Sequence, residues 1–200
     1  MNHLLNKDNY TSENLYEKIN LLSDEQINAI DNGLKWTTKN IKNAVIIGGM
    51  GTVYYVSNSR KLTPDLDYLT EDIELVKTKL SAGNKVFRSL DAGYEYSLGV
   101  TVDLFNTDFL DSEVGNVTLN KLILQTPNTA KIGGYIVKIV NPELLSIMKF
   151  SIGREKDISD GFALLSTGKC SLEKYKSYVS ILGNTLQDYN SIFEYQALIK

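Results

Sequence analysis

Apolar positions at helical spacing dominate the start of the chain. Ile27, Ile30 and Leu34 recur at i, i+3 and i+7 behind Ser23-Asp24-Glu25-Gln26, which has the form of a capping box. The first forty residues therefore read as helical. The period then changes: Ala44-Val45-Ile46-Ile47 is a short β-branched run ended by Gly48-Gly49, a buried strand entering a tight turn. A helix from Gly51 to about Ser57 is weakened by Thr52, Val53 and Val56. Leu66 to Leu69 reads as a strand. Glu71 to Leu80 reads as a helix on Ile73, Val76 and Leu80, with Gly83 just beyond its end.

Strand-like runs follow at Val86-Phe87, at Tyr94-Glu95-Tyr96 and from Val100 to Phe105, and a hairpin is expected around Gly133-Gly134. From Asn141 onward the pattern is helical. Asn141 is a good N-cap, Pro142 suits the first helical position, and Leu144, Leu145, Met148 and Ile152 line one side. Ser171 and Thr185 start two more helices. The expected organisation is an N-terminal helical segment (1–40), a core with a mixed β-sheet flanked by helices (41–140) and a C-terminal helical region (141–200). The fold class is α+β (α/β).

Composition narrows the chemistry. The chain has 200 residues, a hydrophobic fraction of 42% and a net charge of −3, as expected for an ordinary globular domain without an overall basic field. One cysteine, Cys170, leaves no internal disulfide framework, and with no secretory signal at the N-terminus a cytoplasmic setting is expected. No apolar run approaches membrane-spanning length, so no membrane partner is expected. The sole histidine, His3, stands beside the terminus. Enzymology, if present, must rest on carboxylates and metal rather than on histidine.

Those carboxylates are Asp65 and Asp67 in Thr63-Pro64-Asp65-Leu66-Asp67-Tyr68, followed by Asp103 in Val100-Thr101-Val102-Asp103-Leu104-Phe105. In a strand, Asp65 and Asp67 project to one face while Leu66 and Tyr68 take the other. Paired carboxylates repel unless a proton or cation sits between them, and hard oxygen ligands on a rigid strand suit Mg2+ (or Mn2+). Asp103, in a run that otherwise reads as core, must be paired, metal-bound or in a cleft. A third acid would allow the two-metal arrangement of in-line displacement at phosphorus, with Asp103 also placed to take the proton of the nucleophile. Gly48, Gly49 and Gly51 allow close backbone approach, and N–H groups at a helix start bind phosphate. Taken singly, each part also reads as ordinary turn or edge chemistry; their order along the chain favours a site.

With these residues, the chain resembles the nucleotidyltransferase fold of the DNA polymerase β superfamily. The superfamily's hydrophobic-Gly-Gly/Ser, Asp-h-Asp and later acid are matched by Ile47-Gly48-Gly49, Asp65-Leu66-Asp67-Tyr68 and Asp103. The closer similarity is to minimal and AbiEii-like nucleotidyltransferases of toxin–antitoxin and abortive-infection systems. Their Arg-led approach to the acids is matched by Arg60-Lys61-Leu62-Thr63-Pro64, with the arginine one residue further away. Their lysine-bearing helix and basic-Asp-xx-Asp segment are matched by Lys149 and by Lys156-Asp157-Ile158-Ser159-Asp160.

The resemblance implies a metal-dependent transfer of NMP from an NTP to a hydroxyl of RNA, protein or a small molecule, and a cognate antitoxin as partner. It implies metal ligation by Asp65, Asp67 and Asp103. Nucleotide contacts are implied at Gly48, Gly49, Gly51, Thr52, Arg60 and Lys149, with Asp157 either orienting that lysine or binding a partner. Equally, Lys149 reads as a surface lysine and Lys156-Asp157 as a solvated pair. Two departures stand out. Met50 follows Gly-Gly where a Ser or Thr hydroxyl is usual, and fifteen residues separate Gly49 from Asp65. Taking Gly51-Thr52 as the turn shortens the spacer to twelve and restores a hydroxyl, so both registers stay open. Met50 also favours an alternative, a non-catalytic nucleotide- or partner-binding module.

Overall fold

The computed structural model describes residues 3–56, 61–72, 87–90, 93–97, 101–106 and 117–183. Residues 73–80 of the helix expected over 71–80, the expected helix from Thr185 and Arg60 lie outside them.

Two helices come first, α1 (Glu13–Ile19) and α2 (Asp24–Asn40). The Ser23/Gln26 capping box forms at the start of α2, with both reciprocal hydrogen bonds present, and its Ile27, Ile30 and Leu34 are buried. The sheet contains β1 (Val45–Ile46), β2 (Leu66–Thr70), β3 (Phe87–Leu90), β4 (Gly93–Ser97), β5 (Thr101–Asn106), β6 (Asn128–Ile132) and β7 (Tyr135–Ile139). Its order is β3-β4-β5-β2-β1-β7-β6. It is mixed: β1 runs parallel to β7 and β2 parallel to β5, while the other neighbours are antiparallel. The β6–β7 hairpin turns on Gly133 and Gly134, both at positive φ, which is why two glycines stand there.

The remaining helices are α3 (Gly48–Tyr55), α4 (Val117–Gln125), α5 (Pro142–Ile152), α6 (Glu155–Leu165) and α7 (Leu172–Leu182). Asn141 caps α5 by accepting from the Leu144 N–H, with Pro142 in the first turn. Gly153, at φ +71°, stops α5 in the left-handed conformation, so α6 begins after a sharp break. The helix periodicity of 144–152 extends to that glycine, and α6 is a separate element.

Strand alternation sorts the side chains into two cores. Ile46, Leu66, Tyr68, Val102 and Leu104 pack with α1 and α2 on one face. Val45, Ile47, Leu69 and Val140 pack with α4, α5 and α7 on the other. The helices at both chain ends thus share their cores with the sheet. Asp67 and Asp103 fall between Leu66 and Tyr68, and between Val102 and Leu104, and so on the second face, at the edge of the region that α5 covers. Among the described residues no helix is long and apolar enough to cross a membrane.

Candidate active site

β2 and β5 are in parallel register, with Asp67 the partner of Asp103, Leu66 of Val102 and Leu69 of Phe105. Two acids distant in sequence therefore stand side by side on adjacent strands. Asp65, two residues before Asp67, lies just ahead of β2 and is exposed, while Asp67 and Asp103 are partly buried. All three line one cavity of about 360 Å³.

The turn before α3 forms the wall beside Asp67. The Ile47 N–H donates to the Asp67 carbonyl (2.9 Å) and ties the turn to β2. The Gly49 N–H donates, over a long 3.4 Å, to Asp67 Oδ2. Gly48 has φ +63°, and a Cβ on it would stand 1.8 Å from Asp67 Oδ2. Glycine is required there twice over, for the backbone conformation and for the carboxylate that occupies the side-chain space. The N-cap position of α3, Ile47, makes no side-chain capping bond. Of the first-turn N–H groups, that of Gly49 is thus shared with the Asp67 carboxylate, and those of Gly48 and Met50 have no side-chain partner among the described residues.

This geometry separates the two turn registers. Gly48 and Gly49 line the cavity, whereas Gly51 and Thr52 fall outside its described lining. Gly51 is buried beneath Leu145 of α5, with a Cβ there meeting Leu145 Cδ2 at 3.2 Å. Thr52 is fully buried, and its hydroxyl donates to the Gly48 carbonyl (3.1 Å). Met50 is also fully buried, in the core shared with α1 and α2. A hydroxyl at position 50 would face that core, so the methionine is a packing residue rather than a damaged phosphate contact.

On its helical side the cavity is lined by Lys149 of α5 with Arg154 and Lys156 from the start of α6. Lys149 is only 3% exposed. Its Nζ pairs with Asp157 Oδ1 at 2.7 Å and Asp160 Oδ2 at 3.1 Å. Arg154 Nε donates to the other oxygen of Asp157. Burial acts to raise the Asp157 carboxyl, but the hydrogen bonds and charges of Arg154 and Lys149 outweigh it and hold the group below its ordinary value. Lys149 is therefore not a surface lysine, and Asp157 is buried and paired with Lys149 and Arg154 rather than forming a solvated pair with Lys156. Lys149 is the centre of a buried network joining α5 to α6. The three-residue spacing of Asp157 and Asp160 on one helix face was the available signal for their joint role. Thr63, Phe105, Met148 and Ile152 also line the cavity. The last three give it an apolar side that the motif search did not identify.

The donor set fits a hard divalent cation: oxygen ligands only, two of them fixed as neighbours by strand register. Among the described residues no group of three or more His, Cys, Asp or Glu side chains is already arranged around one metal position. Mg2+ usually takes one or two carboxylates and completes its shell with water and substrate phosphates.

No curated protein matches the chain. Among solved structures, an antigenic nucleotidyltransferase-like protein from Paracoccidioides brasiliensis is similar at 17% identity and a TM-score of 0.47. That match covers 86% of this chain and 92% of the other. The model of a family described as "nucleotidyl transferase of unknown function (DUF2204)" matches residues 26–179, from the start of α2 to near the end of α7, and the chain belongs to that family.

Proposed function

We propose that the protein transfers NMP from an NTP to a hydroxyl acceptor, with Asp65, Asp67 and Asp103 holding Mg2+ or Mn2+. The observation that supports this most directly is the register pairing of Asp67 with Asp103 beside the Gly48-Gly49 turn. A bound divalent cation would offset the triphosphate charge and favour ionisation of the acceptor hydroxyl. The chain's own residues supply the rest. The N–H groups at the start of α3 that Asp67 does not take hold phosphate oxygens. Asp103 takes the proton as the acceptor oxygen bonds to the α-phosphorus. The bond from that phosphorus to the bridging oxygen breaks, and pyrophosphate leaves with the electron pair. The apolar side, Phe105, Met148 and Ile152, receives the base.

The acceptor is a hydroxyl of RNA, protein or a small molecule, and the resemblance to toxin–antitoxin enzymes makes a cognate antitoxin the proposed partner. Calorimetry with each NTP and Mg2+, followed by labelled-NTP transfer to RNA and protein fractions, tests the reading. The Asp65→Asn/Asp67→Asn protein is expected to lose transfer while keeping its fold. Transfer that survives this double substitution removes the metal role. Binding without transfer to any fraction favours the non-catalytic module.

A further inference from the structure

Among the described residues three cationic side chains line the cavity, and they are not equivalent. Lys149 donates a hydrogen bond to the buried carboxylate of Asp157 and is ion-paired with that of Asp160. Arg154, whose side chain is 53% exposed, commits its Nε to Asp157. Two cations and two anions make a set with no net charge. Drawing Lys149 toward a phosphate would take its cation from Asp160 and leave the buried Asp157 with Arg154 alone.

Lys156 differs. It is exposed, it lines the same cavity, and among the described residues no ion pair or side-chain hydrogen bond holds it. It stands in the first turn of α6, four residues before Asp160, and its side chain lines the cavity while both carboxylates are buried. The acids of β2 and β5 line the same cavity from the sheet. The cavity is thus negative on its sheet side and carries an uncommitted cation on its α6 side. That is the charge order of a polyphosphate bridged to the carboxylates by a cation. An ammonium on a flexible four-carbon stem also suits phosphates that must depart after transfer.

We propose that Lys156, rather than Lys149, is the cation that grips the β- and γ-phosphates of the substrate and the leaving pyrophosphate. The assignment rests on the nucleotidyltransferase reading above, but its anion chemistry is testable separately. The probe is inorganic tripolyphosphate, titrated by calorimetry in the presence of Mg2+ at low and high salt. The Lys156→Ala protein is expected to bind it roughly tenfold more weakly and with a shallower salt dependence, as loss of one charge-assisted contact requires. Lys156→Arg is expected to stay within about threefold of the native protein because charge and reach are kept. Lys149→Gln, measured where circular dichroism shows it folded, is expected to lose less affinity than Lys156→Ala.

Unchanged binding by Lys156→Ala overturns the proposal, as does a larger loss in folded Lys149→Gln. A native protein that binds no tripolyphosphate overturns it too. If binding depends on Lys156 while no labelled NTP is ever transferred, the anion site stands and the transferase reading falls. Transfer that persists with affinity unchanged in Lys156→Ala has the opposite meaning.

Discussion

Replacing Lys149 with methionine keeps most of the apolar stem and removes only the ammonium at the centre of the α5–α6 network. Asp157, with no exposed surface, retains Arg154, but Asp160 loses the cation at 3.1 Å. Breaking a buried pair from one side costs about 3–5 kcal/mol. The surviving Arg154 contact places this case near the lower end, about 3 kcal/mol. For a chain of this length that is a fall in Tm of roughly 6–12 °C.

Urea unfolding at pH 7, followed by circular dichroism and by the fluorescence of Trp36, the sole tryptophan, should show a lower midpoint at unchanged m. The pH dependence is a second check. The folded-state pKa of Asp157 is depressed, so its contribution is fully present above the unfolded carboxyl value of about 3.9 and is lost as pH falls through the lower folded value. The difference between native and Lys149→Met proteins should therefore shrink in acid. A loss below about 1 kcal/mol at pH 7, the range of exposed pairs, would refute the buried-network argument. So would a difference that grows as pH falls.

Two further substitutions probe the turn. Gly48→Ala drives a methyl group into the space of Asp67 Oδ2 at a positive φ, so it should abolish Mg2+-dependent NTP binding by calorimetry and lower stability by roughly 1–3 kcal/mol. Met50→Ser tests the missing hydroxyl. It should cost about 2–4 kcal/mol in urea unfolding through a cavity and a buried polar group, and leave the transfer rate of the folded protein no higher than native.

Much of the framework was legible because it is local. The Ser23 capping box, the Asn141-Pro142 helix start, the Gly133-Gly134 hairpin and the alternation around Asp67 depend on neighbours in the chain, and the structure contains each of them. Short-range rules did less well where a single glycine interrupts a continuing apolar period. Gly153 separates α5 from α6 in that way, and α4 was not foreseen.

The acids and the Gly-Gly turn were named from sequence order, but order alone cannot say which residues meet. The pairing of Asp67 with Asp103 is set by strand register across distant segments. The choice between the two turn registers was likewise tertiary: Gly48 is pinned by the carboxylate in its side-chain space, while Gly51 and Thr52 are covered by packing. Burial decided the lysines. A sequence shows Lys149, Lys156, Asp157 and Asp160 only as charged residues close together in a helical stretch. Only the packing of α5 against α6 removes water from some of them, forces those to pair, and leaves Lys156 facing the cavity.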